Sequence, residues 1–112
     1  MPRNMSFALT TAQIRARRKD VTRRFGWWFL RPGDEVRAVE KARGLRRGER
    51  VRPLGLLRIV SVRAEPLVAI TAADVAREGF PELTPAQFVA MVCRHYRCAP
   101  ERIVNRIEFE YL

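Results

Sequence analysis

Residues Ile14 to Phe29 read IRARRKDVTRRFGWWF, and the rest of the chain is organised around them. Six of the first eleven are cations (Arg15, Arg17, Arg18, Lys19, Arg23 and Arg24), and Phe25, Trp27, Trp28 and Phe29 follow at once. Cations bind phosphate and flat rings stack on bases, so this pairing is what a nucleic-acid cleft requires. The same stretch sets local order. Thr10 or Thr11 can cap a short helix through Arg18, with Ile14 toward the core, and Asp20 to Phe25 then turns to β-compatible residues at Val21 and Thr22. A basic helix therefore runs into a strand, with Lys19 at the junction. A solvated helix face followed by core tryptophans would give the same letters, and the charge of the whole chain weighs against it.

The chain has 112 residues, enough for one domain over 1–112 that folds without staples. Lys plus Arg is 22 against 12 Asp plus Glu, a formal +10, and 20 of the 22 cations are arginine. Guanidinium forks match phosphate oxygens and stack on bases, which favours a nucleic-acid partner, although a GC-rich genome would also favour arginine. Cys93, His95 and Cys98 read as helical positions pointing about 200° and 140° apart, so they do not converge on a metal, and no cofactor is expected. No apolar run approaches ~18 residues and no signal pattern opens the chain, so a cytoplasmic monomer with reduced thiols and no membrane contact is expected.

Working outward, Met5 to Leu9 reads as a first strand and Arg31-Pro32-Gly33-Asp34 as a turn into a strand at Glu35 to Glu40. Lys41 to Arg52 (KARGLRRGERVR) is a basic loop or hairpin tip, and Arg43, Arg46 and Arg47 are candidate phosphate contacts. Leu54 to Val62 is the most apolar run and the central strand. Thr71 to Asp74 has capping-box spacing and opens a helix ending at Glu78-Gly79; Thr84-Pro85-Ala86-Gln87 opens another to Tyr96 or Cys98, with Phe88, Val89, Met91 and Val92 as its buried stripe. Ile103 to Tyr111 is the last strand. The order β-α-β-β-β-α-α-β predicts an α+β fold, a small mixed or antiparallel β-barrel decorated by about three helices.

The stretch Arg17 to Arg24 resembles the ASCH family signature of the PUA-like barrels, G-x-K-x-x-E-x-R, with Lys19 at the lysine and Arg24 at the arginine. Arg17 replaces the glycine and Thr22 the glutamate. Threonine there is similar to a small bacterial branch that hydrolyses 4-acetylcytidine, and the Pro32 to Asp34 turn, the Glu78-Gly79-Phe80 helix end and the Ile107-Glu108-Phe109 strand fit the family order. The resemblance implies a PUA-like fold and places that branch's catalytic lysine, threonine and glutamate on Lys19, Thr22 and Glu78. Amide hydrolysis needs a nucleophile, a proton shuttle and a place for the oxyanion. The surrounding arginines would lower the Lys19 pKa, although in a regular strand Lys19 and Thr22 face opposite ways unless Lys19 lies outside it or a bulge intervenes.

Lys19 could equally hold phosphate, Thr22 be an ordinary strand residue and Glu78 a helix end. The expected function is binding of RNA or a nucleobase in a basic cleft flanked by Trp27 or Trp28, with the arginines on phosphates. The alternatives are an amidohydrolase on an acylated cytidine or a ribonuclease in the same cleft, or a basic face for an acidic protein.

Overall fold

The computed structural model describes residues 2–41 and 46–112. The elements run β1 (Arg3–Ser6), a 3-10 turn (Ala8–Thr10), α1 (Thr11–Arg15), β2 (Val21–Arg24), β3 (Glu35–Val39), β4 (Pro53–Pro66), a second 3-10 turn (Leu67–Ala69), α2 (Ala72–Arg77), α3 (Pro85–Tyr96) and β5 (Ile103–Tyr111). This is the α+β order read from the sequence, with three helices.

The strands form one mixed sheet in the order β1-β3-β4-β5-β2, with β1 parallel to β3 and the other pairs antiparallel. The sheet curls like part of a barrel, and the expected closed barrel needs correction: β1 and β2 end the order, each with a single strand partner. Two register shifts, between Ala38 and Val39 and between Ile59 and Ser61, each place an extra residue on β4. Extra residues of this kind bend a strand and raise its twist, which lets the 14-residue β4 serve both β3 and β5.

Apolar burial falls into two clusters. Met5, Phe7, Ile14, Leu30, Val36, Ala38, Leu57, Ile59, Ile107 and Phe109 fill the curl of the sheet, while Leu67, Ile70, Val75, Phe88, Val89 and Val104 pack α2 and α3 against the start of β5. β5 serves both clusters and departs from simple alternation: Val104, Asn105, Arg106 and Ile107 are all buried.

The helix ends differ from expectation in two places. α1 stops at Arg15 rather than Arg18 because Arg17 takes a left-handed conformation (φ 54°) and turns the chain toward β2. Neither threonine caps it; the 3-10 turn leads in, and the Thr11 hydroxyl donates to the Phe7 carbonyl at 2.8 Å. α2 and α3 start as predicted, with Thr71 accepting from the Asp74 N–H and Thr84 and Gln87 forming a full capping box. After α3, Arg97 is left-handed (φ 53°) and folds Cys98 back, so the Cys93 and Cys98 sulfurs lie 3.8 Å apart rather than diverging as a continued helix would require. Both thiols are free. Among the described residues, no three His, Cys, Asp or Glu side chains are grouped to hold a metal, and no helix is long and apolar enough to cross a membrane.

Candidate functional site

The two apolar clusters leave a cavity of about 220 Å³ where they meet, between the chain leaving β1, strand β2, and helices α2 and α3. Lys19, Thr22, Arg23, Arg24 and Glu78, with Ser6, Thr10 and His95, supply its polar wall; Phe7, Leu67, Phe80, Phe88, Met91 and Tyr96 supply much of the apolar one. Lys19, Thr22 and Glu78 therefore line one cavity. The parity difficulty disappears because β2 begins at Val21, leaving Lys19 outside the strand.

Lys19 and Glu78 are each 3% exposed. The Lys19 ammonium donates to the Glu78 carboxylate at 2.5 Å and to the Glu78 carbonyl at 3.1 Å. Local structure aims both. Glu78 is the residue on which α2 ends, followed by Gly79 at φ 100°, and the Lys19 carbonyl accepts from the Tyr111 hydroxyl of β5. Burial pushes the Lys19 ammonium below its ordinary pKa, opposed by the Glu78 carboxylate, with Arg24 and Arg23 adding smaller downward pushes. The direction is the expected one, while its main cause is loss of water rather than the arginine field. Lys19 Nζ makes no hydrogen bond to Thr22, whose hydroxyl oxygen accepts from Arg24 Nε at 3.1 Å.

Behind this wall lies an ion network that composition does not reveal. Arg23 donates to Glu78 at 2.9 Å and to Asp74 at 2.6 Å and lies 3.4 Å from Glu65, and Arg106 grips the same Asp74 through two bonds. The Arg106 and Arg23 guanidiniums hold Asp74 well below the usual carboxylate range, against the upward push of its burial. Arg23 is thus a structural cation, with its side chain 3% exposed. Arg24 differs: its guanidinium lies over the Phe7 ring at 4.6 Å, has no carboxylate within 4.0 Å among the described residues, and is pushed down from its ordinary pKa by burial.

The seam between β1 and β2 opens into a groove of about 770 Å³ that shares Ser6, Ala8, Arg23, Arg24, Phe25 and Tyr96 with the cavity. Trp27 lines this groove, left-handed (φ 63°), its carbonyl held by Asn105 Nδ2 at 3.0 Å. Trp28 is 55% exposed and lines neither space. Arg15 points away and pairs with Glu40 at 2.5 Å; Arg17 and Arg18 line a shallow depression on another side, Arg17 over the Tyr111 ring. Arg46 and Arg47 are exposed and line neither space, and Arg43 lies outside the described residues. The sequence reading placed Lys41 only within the basic stretch Lys41 to Arg52; it missed Arg3 and Tyr96, which the fold brings to the groove from far along the chain, and Asp74 and Arg106, whose pairing no local pattern marks.

No family model matches this chain, and no curated protein matches it. Among solved structures, the crystal structure of protein EF3133 from Enterococcus faecalis V583, which carries the family-model designation DUF984, is similar at TM-score 0.64 and 15% sequence identity. The match covers 100% of this chain and 80% of that one. At this identity the likeness speaks to the small α+β, barrel-like fold alone.

Proposed function

We propose that this protein binds a nucleobase, presented by RNA, in the cavity between its two apolar clusters. One observation carries the reading: a small half-apolar cavity has at its wall a guanidinium, Arg24, with no carboxylate partner among the described residues. A base matches such a site in shape and chemistry, because its faces are apolar and its edge carries carbonyl and ring-nitrogen acceptors. Arg24 donates to that edge, Tyr96 and Phe80 meet the faces, and the buried Lys19–Glu78 pair offers a donor and an acceptor to the exocyclic groups.

A second reading is favoured by the presence of Lys19, Thr22 and Glu78 in that one cavity, together with the resemblance to the ASCH branch that hydrolyses 4-acetylcytidine. In it the buried Lys19 ammonium passes its proton to the Glu78 carboxylate along their hydrogen bond, the neutral amine then takes a proton from the attacking water, the acyl carbon–nitrogen bond breaks, and Glu78 gives its proton to the leaving amine, which restores the ion pair. Since Lys19 does not bond Thr22, a water at the Lys19–Glu78 pair is the nucleophile and Thr22 holds Arg24 in place.

Calorimetric titration with the four nucleosides and with 4-acetylcytidine, alongside acetate release, tests both readings. Saturable binding of a nucleoside, lost in Arg24→Ala, is expected; no binding by any of the five at millimolar concentration overturns the base cavity. Acetate release above the buffer blank decides for hydrolysis, and incubation with labelled RNA reports any nuclease action.

A further inference from the structure

The groove at the open seam differs from the cavity it joins. Its lining includes Arg3, Arg23, Arg24 and Lys41 and four rings, Phe25, Trp27, Phe29 and Tyr96, and no acid among the described residues. Arg23 is consumed by Asp74, Glu78 and Glu65, which leaves three cations to consider. Arg24 has no carboxylate partner among the described residues, Arg3 lies over the Phe29 ring at 4.7 Å, and Lys41 pairs with Glu49 at 3.2 Å where both are solvent-accessible. Exposed pairs of that kind are screened and exchange readily for phosphate.

The rings remain open to a partner. Phe29 is 54% exposed, Tyr96 49% and Phe25 37%, although each already touches another side chain: Phe25 meets Tyr96 edge-on at 5.1 Å, and Trp27 meets Phe29 at 5.5 Å. Exposed rings beside guanidiniums form a surface that suits something flat and anionic. An acidic peptide would answer the charge and leave the rings bare. Duplex DNA or RNA would answer the charge and keep its base faces stacked inside. A single strand answers both, with phosphates on the cations and unpaired bases on the rings.

On the reading that the cavity takes a base, we infer that the seam groove carries the neighbouring nucleotides of a single strand, so that the ligand is a polynucleotide segment rather than a free nucleoside. Arg24, in the wall shared by cavity and groove, sits where the strand leaves the cavity. The unclosed sheet is what makes room: a sixth strand pairing β1 with β2 would fill the path.

The test uses a fluorescein-labelled ten-nucleotide RNA of mixed sequence, the DNA of the same sequence, its duplex, polyglutamate, and the mixed nucleosides. Two phosphate contacts, at Arg3 and Lys41, with Arg24 on the base edge, predict a slope of log K on log salt near −1.4, about a 7-fold loss from 50 to 200 mM salt. Arg3→Ala and Lys41→Ala should each flatten the slope by about 0.7, whereas Arg58→Ala, an equal charge change on another face, should leave it unchanged. The single strand should bind at least tenfold tighter than duplex, polyglutamate or nucleosides. Nucleosides binding as tightly as the ten-mer would overturn the groove while leaving the cavity reading in place. Equal binding of polyglutamate or duplex, or a slope untouched by Arg3→Ala and Lys41→Ala, would also overturn it. If neither nucleosides nor oligonucleotides bind, the cavity reading fails and takes the groove with it. The RNA and DNA arms report which sugar the groove accepts.

Discussion

Arg23 and Arg24 are adjacent on β2 and differ in what meets their charge: Arg23 lies within 4.0 Å of Asp74, Glu78 and Glu65, and Arg24 lies within 4.0 Å of no carboxylate among the described residues. Two identical letters therefore do different work. Arg23→Ala leaves Asp74 and Glu78 short of a buried partner and should cost about 3–5 kcal/mol of stability. Arg24→Ala loses a hydrogen bond to Thr22 and a contact with the Phe7 ring, about 1–2 kcal/mol, and should abolish nucleoside binding in a protein that still folds. Urea melts and calorimetry on both variants check this. An Arg23→Ala protein as stable as wild type would contradict the assignment of Arg23 to structure.

Hydrolysis, if it occurs, should have a rising pH limb. The rate needs the neutral Lys19 amine, burial holds its pKa below the ordinary lysine value, and the neutral fraction grows with pH, so kcat/KM should climb with pH through an apparent pKa below that of an ordinary lysine. Glu78→Gln removes the carboxylate that raises that pKa; the limb should move to lower pH while turnover falls on the order of 10². Lys19→Ala should fall at least as far. Thr22→Ala should fall less, since Thr22 bonds Arg24 and not Lys19. The pH profile of acetate release from 4-acetylcytidine measures all three, and a limb that stays in place in Glu78→Gln would remove Glu78 from any influence on Lys19.

Acid should weaken the fold through Asp74. Its carboxyl is depressed in the folded chain by Arg106 and Arg23, so its contribution is present above the ordinary carboxylate range and is lost as pH falls below about 4. Urea midpoints at pH 7 and pH 3 should differ in wild type. The difference should shrink in Asp74→Asn, which is already weaker at pH 7 because Arg106 has lost its carboxylate and Arg23 one of its three.

Gly79 holds α2 against α1. At φ 100°, a Cβ there would lie 2.5 Å from Gln13 Cγ and 2.9 Å from Gln13 Cβ. Gly79→Ala should cost about 2 kcal/mol or more and, because Glu78 is the preceding residue, should also weaken ligand binding. Thermal melts and nucleoside titration on the same sample check both, and a neutral variant would mean that α1 can give way without disturbing Glu78.

Element order was legible because each segment carried its own period or cap: the Thr84–Gln87 box and β5 from Ile103 to Tyr111 lie where the letters put them. What failed depended on partners distant in sequence. Barrel closure turns on β1 pairing in parallel with β3, some thirty residues on, and nothing in Arg3–Ser6 encodes that choice. Arg17 and Arg97 end their helices in left-handed conformations without the glycine that normally signals one, so α1 ran long and Cys98 was placed on the wrong side of α3. Arg106 reads as a polar break in β5 until Asp74 arrives from α2 to neutralise it. A motif resemblance singled out Lys19, Thr22 and Glu78, which line one cavity, while Tyr96 and Arg3 reach the cavity and groove by topology alone.

The pairing of β2 has a temporal consequence. Its single strand partner is β5, whose residues pair with Val21 to Arg24 across more than eighty positions of chain, and Tyr111 and Asn105 of that strand also fasten the Lys19 and Trp27 carbonyls. As the polypeptide is synthesised, β1, β3 and β4 can meet early, but the stretch that holds Lys19, Thr22 and Arg24 has no strand to join until Ile103 to Tyr111 has emerged. The pocket is the last part of the molecule to come into being, and a nascent chain halted before residue 103 would carry every polar residue of the cavity wall and no cavity.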